Sequence, residues 1–163
     1  MIDPFDVTKY DRTIPELEEF LLFCICVAGK QANKTAERLG NILEEYERGE
    51  VKSPFLVIQR LLFMKKLEDK LKEYGFGQYR KLTKALTQIA RSGFDLRKCS
   101  VEDLETIHGV GPKTSRYFIL HTRKDSKVAC LDVHILGYLR GLGHEAPKTT
   151  PTGKKYLELE QIF

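Results

Sequence analysis

LETIHGVGPKTSRYFILHTRKDSKVACLDVHILGYL, residues 104–139, is the stretch from which the rest of the chain is read. A short helix is predicted to end at Gly109-Val110-Gly111, and a second opens at Pro112 with Lys113 in its first turn. A third begins at Asp132 and His134, with 19 residues from Lys113 to Asp132. Glycines at 109 and 111 let backbone approach a ligand closely and take φ > 0 without a Cβ clash. The unpaired amides at the start of the next helix suit a phosphate. Gly109, Val110, Gly111 and Thr114 are therefore candidate contacts to a phosphate backbone.

Such a clamp also occurs in DNA-binding modules that catalyse nothing. Combined with Lys113, the 19-residue interval and Leu131-Asp132-Val133-His134, the stretch resembles the helix-hairpin-helix DNA glycosylases, the superfamily of endonuclease III and 8-oxoguanine glycosylase. Their signature reads L-P-G-V-G-x-K-T, then a helix, a connector and V-D-x-H. Here it stands as Ile107-His108-Gly109-Val110-Gly111-Pro112-Lys113-Thr114 and Leu131-Asp132-Val133-His134.

The resemblance implies an all-α fold, with residues 1–163 as one compact helical domain. It implies a base excision repair enzyme, a DNA glycosylase with β-elimination AP lyase activity. In that role Lys113 is the nucleophile and Asp132 the required carboxylate. It also implies a structural cation at the backbone carbonyls of Glu105, Ile107 and Val110, with no catalytic metal. The interval is nearer to that of 8-oxoguanine glycosylases than to that of endonuclease III, which favours an oxidised purine such as 8-oxoguanine. Tyr117 falls where the eukaryotic 8-oxoguanine enzymes place a base-contacting cysteine. Many endonuclease III relatives hold an iron-sulfur cluster with four cysteines beyond V-D-x-H. No cysteine follows Cys130, so neither a cluster nor another cofactor is expected. Relatives also continue past the last helix read here, so the sequence reads as short at its C-terminal end.

The chemistry explains why these two residue types are needed. An amine attacks the sugar C1′ only when unprotonated, and a free lysine is protonated near neutral pH. A helix N-terminus and exclusion of water both disfavour that charge. Attack gives a Schiff base, from which β-elimination nicks the strand. Asp132, held at a helix start by backbone amides, is expected to sit ionised beneath the developing sugar cation.

Composition agrees with such a partner. At 163 residues, 42% hydrophobic and 31% charged, the chain can bury roughly two thirds of its unfolded surface. Residues 1–50 hold 6 basic and 11 acidic side chains, whereas residues 60–98 hold 11 basic and 4 acidic. That polarity fits one basic face toward a polyanion, and equally two solvated faces of opposite sign. The longest apolar run, residues 20–28, has nine residues, below the roughly 18 a membrane span needs. With Asp3, Asp6 and Asp11 the N-terminus does not read as a signal peptide. An intracellular monomer acting on double-stranded DNA with a damaged base or abasic site is expected, without a membrane.

Taken in order, Thr13-Ile14-Pro15-Glu16 is a capping box that opens an apolar central helix over 15–28, with Cys24 and Cys26 as small core residues. A second helix is predicted over 34–46, with Ala36, Leu39, Ile42 and Leu43 inside. By resemblance, Gln31 in the loop between them enters the gap left in the duplex or meets the opposite strand; otherwise it is a solvated connector. Ser53-Pro54 starts helix that runs to Leu71 with a break near Lys65, and Leu61, Leu62, Met64, Leu67 and Leu71 are read as its core face. The segment 73–81, with Gly75 and Gly77, interrupts the pattern before a helix over 80–92. Gln78 or Tyr79 is the candidate wedge into the base stack, with Arg80 and Lys81 beside it on DNA; the alternative packs Tyr79 as core. Ser100 caps the helix that leads into the hairpin. His134 is a candidate DNA contact or a hydrogen-bonded structural histidine. The last helix is predicted over 154–163, with Tyr156, Leu157 and Leu159 as its apolar side.

A non-catalytic helix-hairpin-helix module in which Lys113 only contacts phosphate is the alternative function. Asp132 argues against it, because a carboxylate beside a phosphate clamp repels the ligand.

Overall fold

The computed structural model describes residues 2–49 and 52–162. Phe163, where the last helix was predicted to end, lies outside the described residues. The capping box at Thr13 forms as the sequence predicts. The Glu16 amide donates to Thr13 Oγ1 at 3.4 Å, and the Thr13 amide donates to Glu16 Oε2 at 2.7 Å. They open α1 (Ile14–Val27), in which every side chain from Phe20 to Cys26 is buried. A helix buried on all sides must be surrounded by others. Around it pack α2 (Ala32–Tyr46), α3 (Pro54–Phe63), α5 (Tyr79–Arg91) and α7 (Pro112–Thr122), while α4 (Leu67–Glu73) and α6 (Val101–Glu105) connect them.

Helix α2 starts two residues earlier than predicted, with Gln31 as its N-cap. Ala36, Leu39 and Ile42 form its buried stripe. The break near Lys65 is present: Lys65 takes a left-handed φ of 56°, and its amide and that of Lys66 bond back to the carbonyls of Leu62 and Leu61. That reversal corrects the predicted core face. Leu61, Leu67 and Leu71 are buried, but Met64 is the C-cap of α3 and points out at 40% exposure. Leu62 is only half-buried.

Beyond α7 the chain builds a second, smaller core from Ala129, Leu131, Leu136, Leu139, Tyr156 and Leu159. Its helices are α8 (Val133–Gly141) and α9 (Gly153–Ile162). Leu157, expected on the apolar side of α9, is 50% exposed. It is one residue round the helix from Tyr156, about 100° off the buried side. Among the described residues no strand forms, and no helix is long and apolar enough to cross a membrane.

The segment before α1 is tied to the far end of α7. The Arg12 guanidinium, 4% exposed, donates to the carbonyls of Val7, Lys9 and His121 and lies 4.2 Å over the Phe20 ring. Thr8 Oγ1 meets His121 Nδ1 at 2.7 Å. Burial, and then the Arg12 charge, lower the His121 pKa from its usual 6.5. The unfolded chain therefore takes up that proton more readily, so stability should fall as pH drops below 6.5. Thermal unfolding followed from about pH 7 to about pH 5 should show a shallower decline in His121→Gln than in the parent; equal slopes would absolve His121.

Candidate active site

The hairpin follows from local turns. Val110 donates its amide to the Ile107 carbonyl at 3.0 Å, and Gly109 takes φ 77°. A Cβ on Gly109 would stand 2.7 Å from Lys81 Cε, so the Lys81 side chain runs over the turn. The His108 amide is held by Gln88 Oε1 of α5 at 2.6 Å. Gly111 differs from expectation: at φ −108°, ψ −178° it is extended and does not need glycine for its backbone. What it offers is space, since no atom lies within 4 Å of its absent Cβ.

Gly111 is the N-cap of α7, and Pro112, lacking an amide hydrogen, fills the first position at no cost. Lys113 follows on the exposed first turn, with Thr114 half-buried behind it. Asp132 is the N-cap of α8, and its Oδ1 accepts the amides of His134 and Ile135, both at 2.9 Å. One oxygen thus takes both caps. Cys130 links the two helix starts. Its Sγ donates to the Lys113 carbonyl at 3.5 Å. Burial pushes its thiol pKa up to about 11, Lys113 opposing and Asp132 adding to the rise. Both charges therefore act on one buried side chain.

Beside Lys113 opens a cleft of about 680 Å³, walled by Cys24, Val27, Lys30, Gln31, Thr114 and Tyr117. That volume is ordinary for a small-molecule site and accommodates a purine. Gln31, predicted in a loop and found as the N-cap of α2, is exposed and its side chain makes no capping bond. Tyr117 leans edge-on against His121, centroids 4.4 Å apart.

The remaining candidates separate. Gln78 is exposed in a left-handed conformation, φ 44°, with no side-chain cap bond. Tyr79 is half-buried against the main core, with the Lys72 ammonium 4.8 Å from its ring centroid. That packing agrees with the alternative in which Tyr79 is a core residue. Arg80 and Lys81 are exposed at the start of α5. His134 lines a different depression, with Tyr138, Leu142 and His144. It is exposed, and its backbone amide, not its ring, makes the bond to Asp132.

Sequence reading missed what joins the two cores. Arg116, 5% exposed, donates from Nη1 to Glu105 Oε1 at 2.8 Å and from Nε to Glu160 Oε1 at 2.6 Å, over the Tyr156 ring. Glu160 Oε1 also takes the Ala129 amide at 2.9 Å. The Tyr156 hydroxyl donates to the Ala129 carbonyl at 2.8 Å and accepts the Leu131 amide at 2.9 Å. The hairpin, the Lys113 helix, α9 and the segment before Asp132 are thereby fastened at one point. Glu105 lies 11 residues from Arg116 and Glu160 lies 44, and no local signal pairs residues so far apart. Removing Arg116 leaves Glu160, its side chain 13% exposed, without its cation, at a cost of up to about 3–5 kcal/mol. Arg116→Ala should therefore lose stability on that scale in urea unfolding; a change under about 1 kcal/mol would mean that water replaces the pair.

Among the described residues no group of three or more His, Cys, Asp or Glu side chains could hold a metal ion, and all four cysteines are buried and free. At the C-terminal end of α6 the Asp103 and Leu104 carbonyls accept the Thr106 and Ile107 amides. The Ile107 carbonyl keeps a second lone pair beyond its bond to Val110.

Comparison with known proteins places these features in context. Residues 2–163 match the family model of 8-oxoguanine DNA glycosylase. Among solved structures, the chain is similar to the Methanocaldococcus jannaschii 8-oxoguanine glycosylase/lyase in complex with a 15mer DNA containing 8-oxoguanine. The identity is 27% and the TM-score 0.66, covering 93% of this chain and 72% of that one. A structure of 8-oxoguanine DNA glycosylase from the same organism matches at 24% identity and TM-score 0.65, covering 97% of this chain and 72% of that one, and supports the fold.

Proposed function

The chain belongs to the 8-oxoguanine DNA glycosylase family, and we propose that Lys113 and Asp132 carry its chemistry. It is a bifunctional DNA glycosylase/AP lyase of base excision repair, acting on DNA with a damaged base. The target base leaves the duplex and enters the cleft beside Lys113, which is easiest where the base is damaged. The Lys113 amine forms a bond to C1′ as the bond to the base breaks, and the departing base takes up a proton. The sugar ring opens to a Schiff base. Loss of a C2′ proton then expels the 3′ phosphate by β-elimination, and water releases the aldehyde and regenerates the amine. Asp132 lies under the cationic sugar and steadies it. No step uses a cofactor.

The surrounding residues take positioning roles. Gly109, Val110, Gly111 and Thr114 clamp a phosphate, with Arg80 and Lys81 on the flanking backbone. The backbone carbonyls of Glu105, Ile107 and Val110 would hold a structural cation, which would supply positive charge for the clamped phosphate. Gln78 is the wedge and Gln31 meets the strand left behind. DNA is the partner, so the protein works in whichever compartment holds it.

The observation that carries this reading is that Lys113 opens onto a purine-sized cleft while Cys130, two residues before Asp132, bonds the Lys113 carbonyl. It is tested with duplexes containing 8-oxoguanine, thymine glycol, uracil or an abasic site. The 8-oxoguanine duplex should be nicked fastest among the three bases and should yield a borohydride-trapped adduct. Nicking at the abasic site alone would overturn the assignment of the substrate.

A further inference from the structure

The cleft contains a second lysine that the reaction above does not use. Lys30 lines it together with Lys113. Its ammonium donates to the Cys26 carbonyl at 2.8 Å, at the end of α1. An ammonium has three donors, so two remain. The rest of the wall mixes Cys24, Val27 and Tyr117 with the polar side chains of Gln31 and Thr114, and among the described residues Lys30 is its one cation besides the nucleophile. A base entering such a cleft loses water from its edges, and each carbonyl oxygen left without a donor costs free energy.

We infer that Lys30 reads the lesion, donating a hydrogen bond to a carbonyl oxygen of the extrahelical oxidised purine while Lys113 attacks its sugar. Two features fit this role. The hydrogen bond to Cys26 sets the ammonium at the wall, so that it need not be ordered when the base arrives. Burial, and the nearby Lys81 charge after it, lower the Lys30 pKa; an acceptor oxygen in the cleft would relieve that penalty. A pocket built around such a donor rejects bases lacking the matching oxygen more sharply than an apolar pocket does. The inference rests on Lys113 being the nucleophile, and its test separates the two.

Lys30→Met keeps the stem and removes the donor. Rates are compared on two duplexes, one with 8-oxoguanine and one with a preformed abasic site, where no base is present to be read. Excision of 8-oxoguanine should fall roughly 10- to 100-fold, with borohydride trapping on the abasic duplex within about twofold of the parent by the same reasoning. Trapping on the abasic duplex also reports that the variant folds. Equal losses on both duplexes, or none on either, would overturn the inference; in the second case Lys30 merely caps α1. Failure of the nucleophile assignment shows separately, as an adduct that survives in Lys113→Ala with Lys30 intact.

Discussion

Replacing Lys113 with alanine should abolish the borohydride-trapped adduct while leaving DNA binding in place. Lys113 is exposed on the first turn of α7, so truncation removes no core packing. The amides and space of the hairpin, proposed to clamp phosphate, come from the Gly109 to Thr114 backbone and are untouched. Without an amine no imine forms, and the nick that depends on it disappears. Loss of a residue that acts directly on the reacting bond lowers turnover by about 10⁴-fold or more, so strand cleavage at 8-oxoguanine should drop to background. Affinity for a duplex carrying an uncleavable abasic analogue should weaken by at most a few fold, the scale of one surface cation near phosphate. An adduct of undiminished yield would mean that another amine attacks, and the assignment would end there.

The second large effect is expected from Asp132→Asn, and the choice of asparagine matters. Asp132 caps α8 through Oδ1 to two amides, and asparagine caps almost as well as aspartate. Thermal unfolding should therefore shift little. What changes is the charge proposed to lie beneath the sugar. Removing one preorganised electrostatic group from a transition state typically lowers the rate by about 10²–10³-fold, which should appear in single-turnover base release. Binding to the abasic analogue should hold or rise slightly, because a carboxylate facing phosphates is repelled by them. Asp132→Ala makes the contrast: it also removes the cap, adding about 1 kcal/mol of lost stability. If Asp132→Asn released base at the parental rate, Asp132 would be a cap and nothing more.

These two substitutions lie on opposite sides of a seam. Lys113 rides on α7, whose Phe118 and Ile119 belong to the main core, whereas Asp132 follows Leu131 of the smaller core. Their separation is held by Cys130 and by the Arg116, Glu105, Glu160 and Tyr156 network. A loosened network should thus depress catalysis even in molecules that remain folded, since small misplacements of a nucleophile are costly.

Much of this was legible in the chain because it depends on neighbours in sequence. The capping boxes at Thr13 and Ser100, the break at Lys65, the hairpin and the Asp132 cap all rest on hydrogen bonds spanning a few residues, which residue type and spacing specify. The apolar run of α1 announced a helix buried on every side. The sequence by itself thus determined the helices, their order and the two residues proposed for the chemistry. It could not place Tyr79, because an aromatic at a helix start serves equally as wedge or packing; the fold sets it half-buried against the core. Nor could it exclude His134 from the cleft, show that Gly111 is extended, or expose Met64 and Leu157, whose directions depend on how each helix is turned. Only the tertiary structure brought Arg116 to Glu160 and set Lys30 beside Lys113, because contacts between distant residues arise from packing of whole helices, for which no local pattern codes.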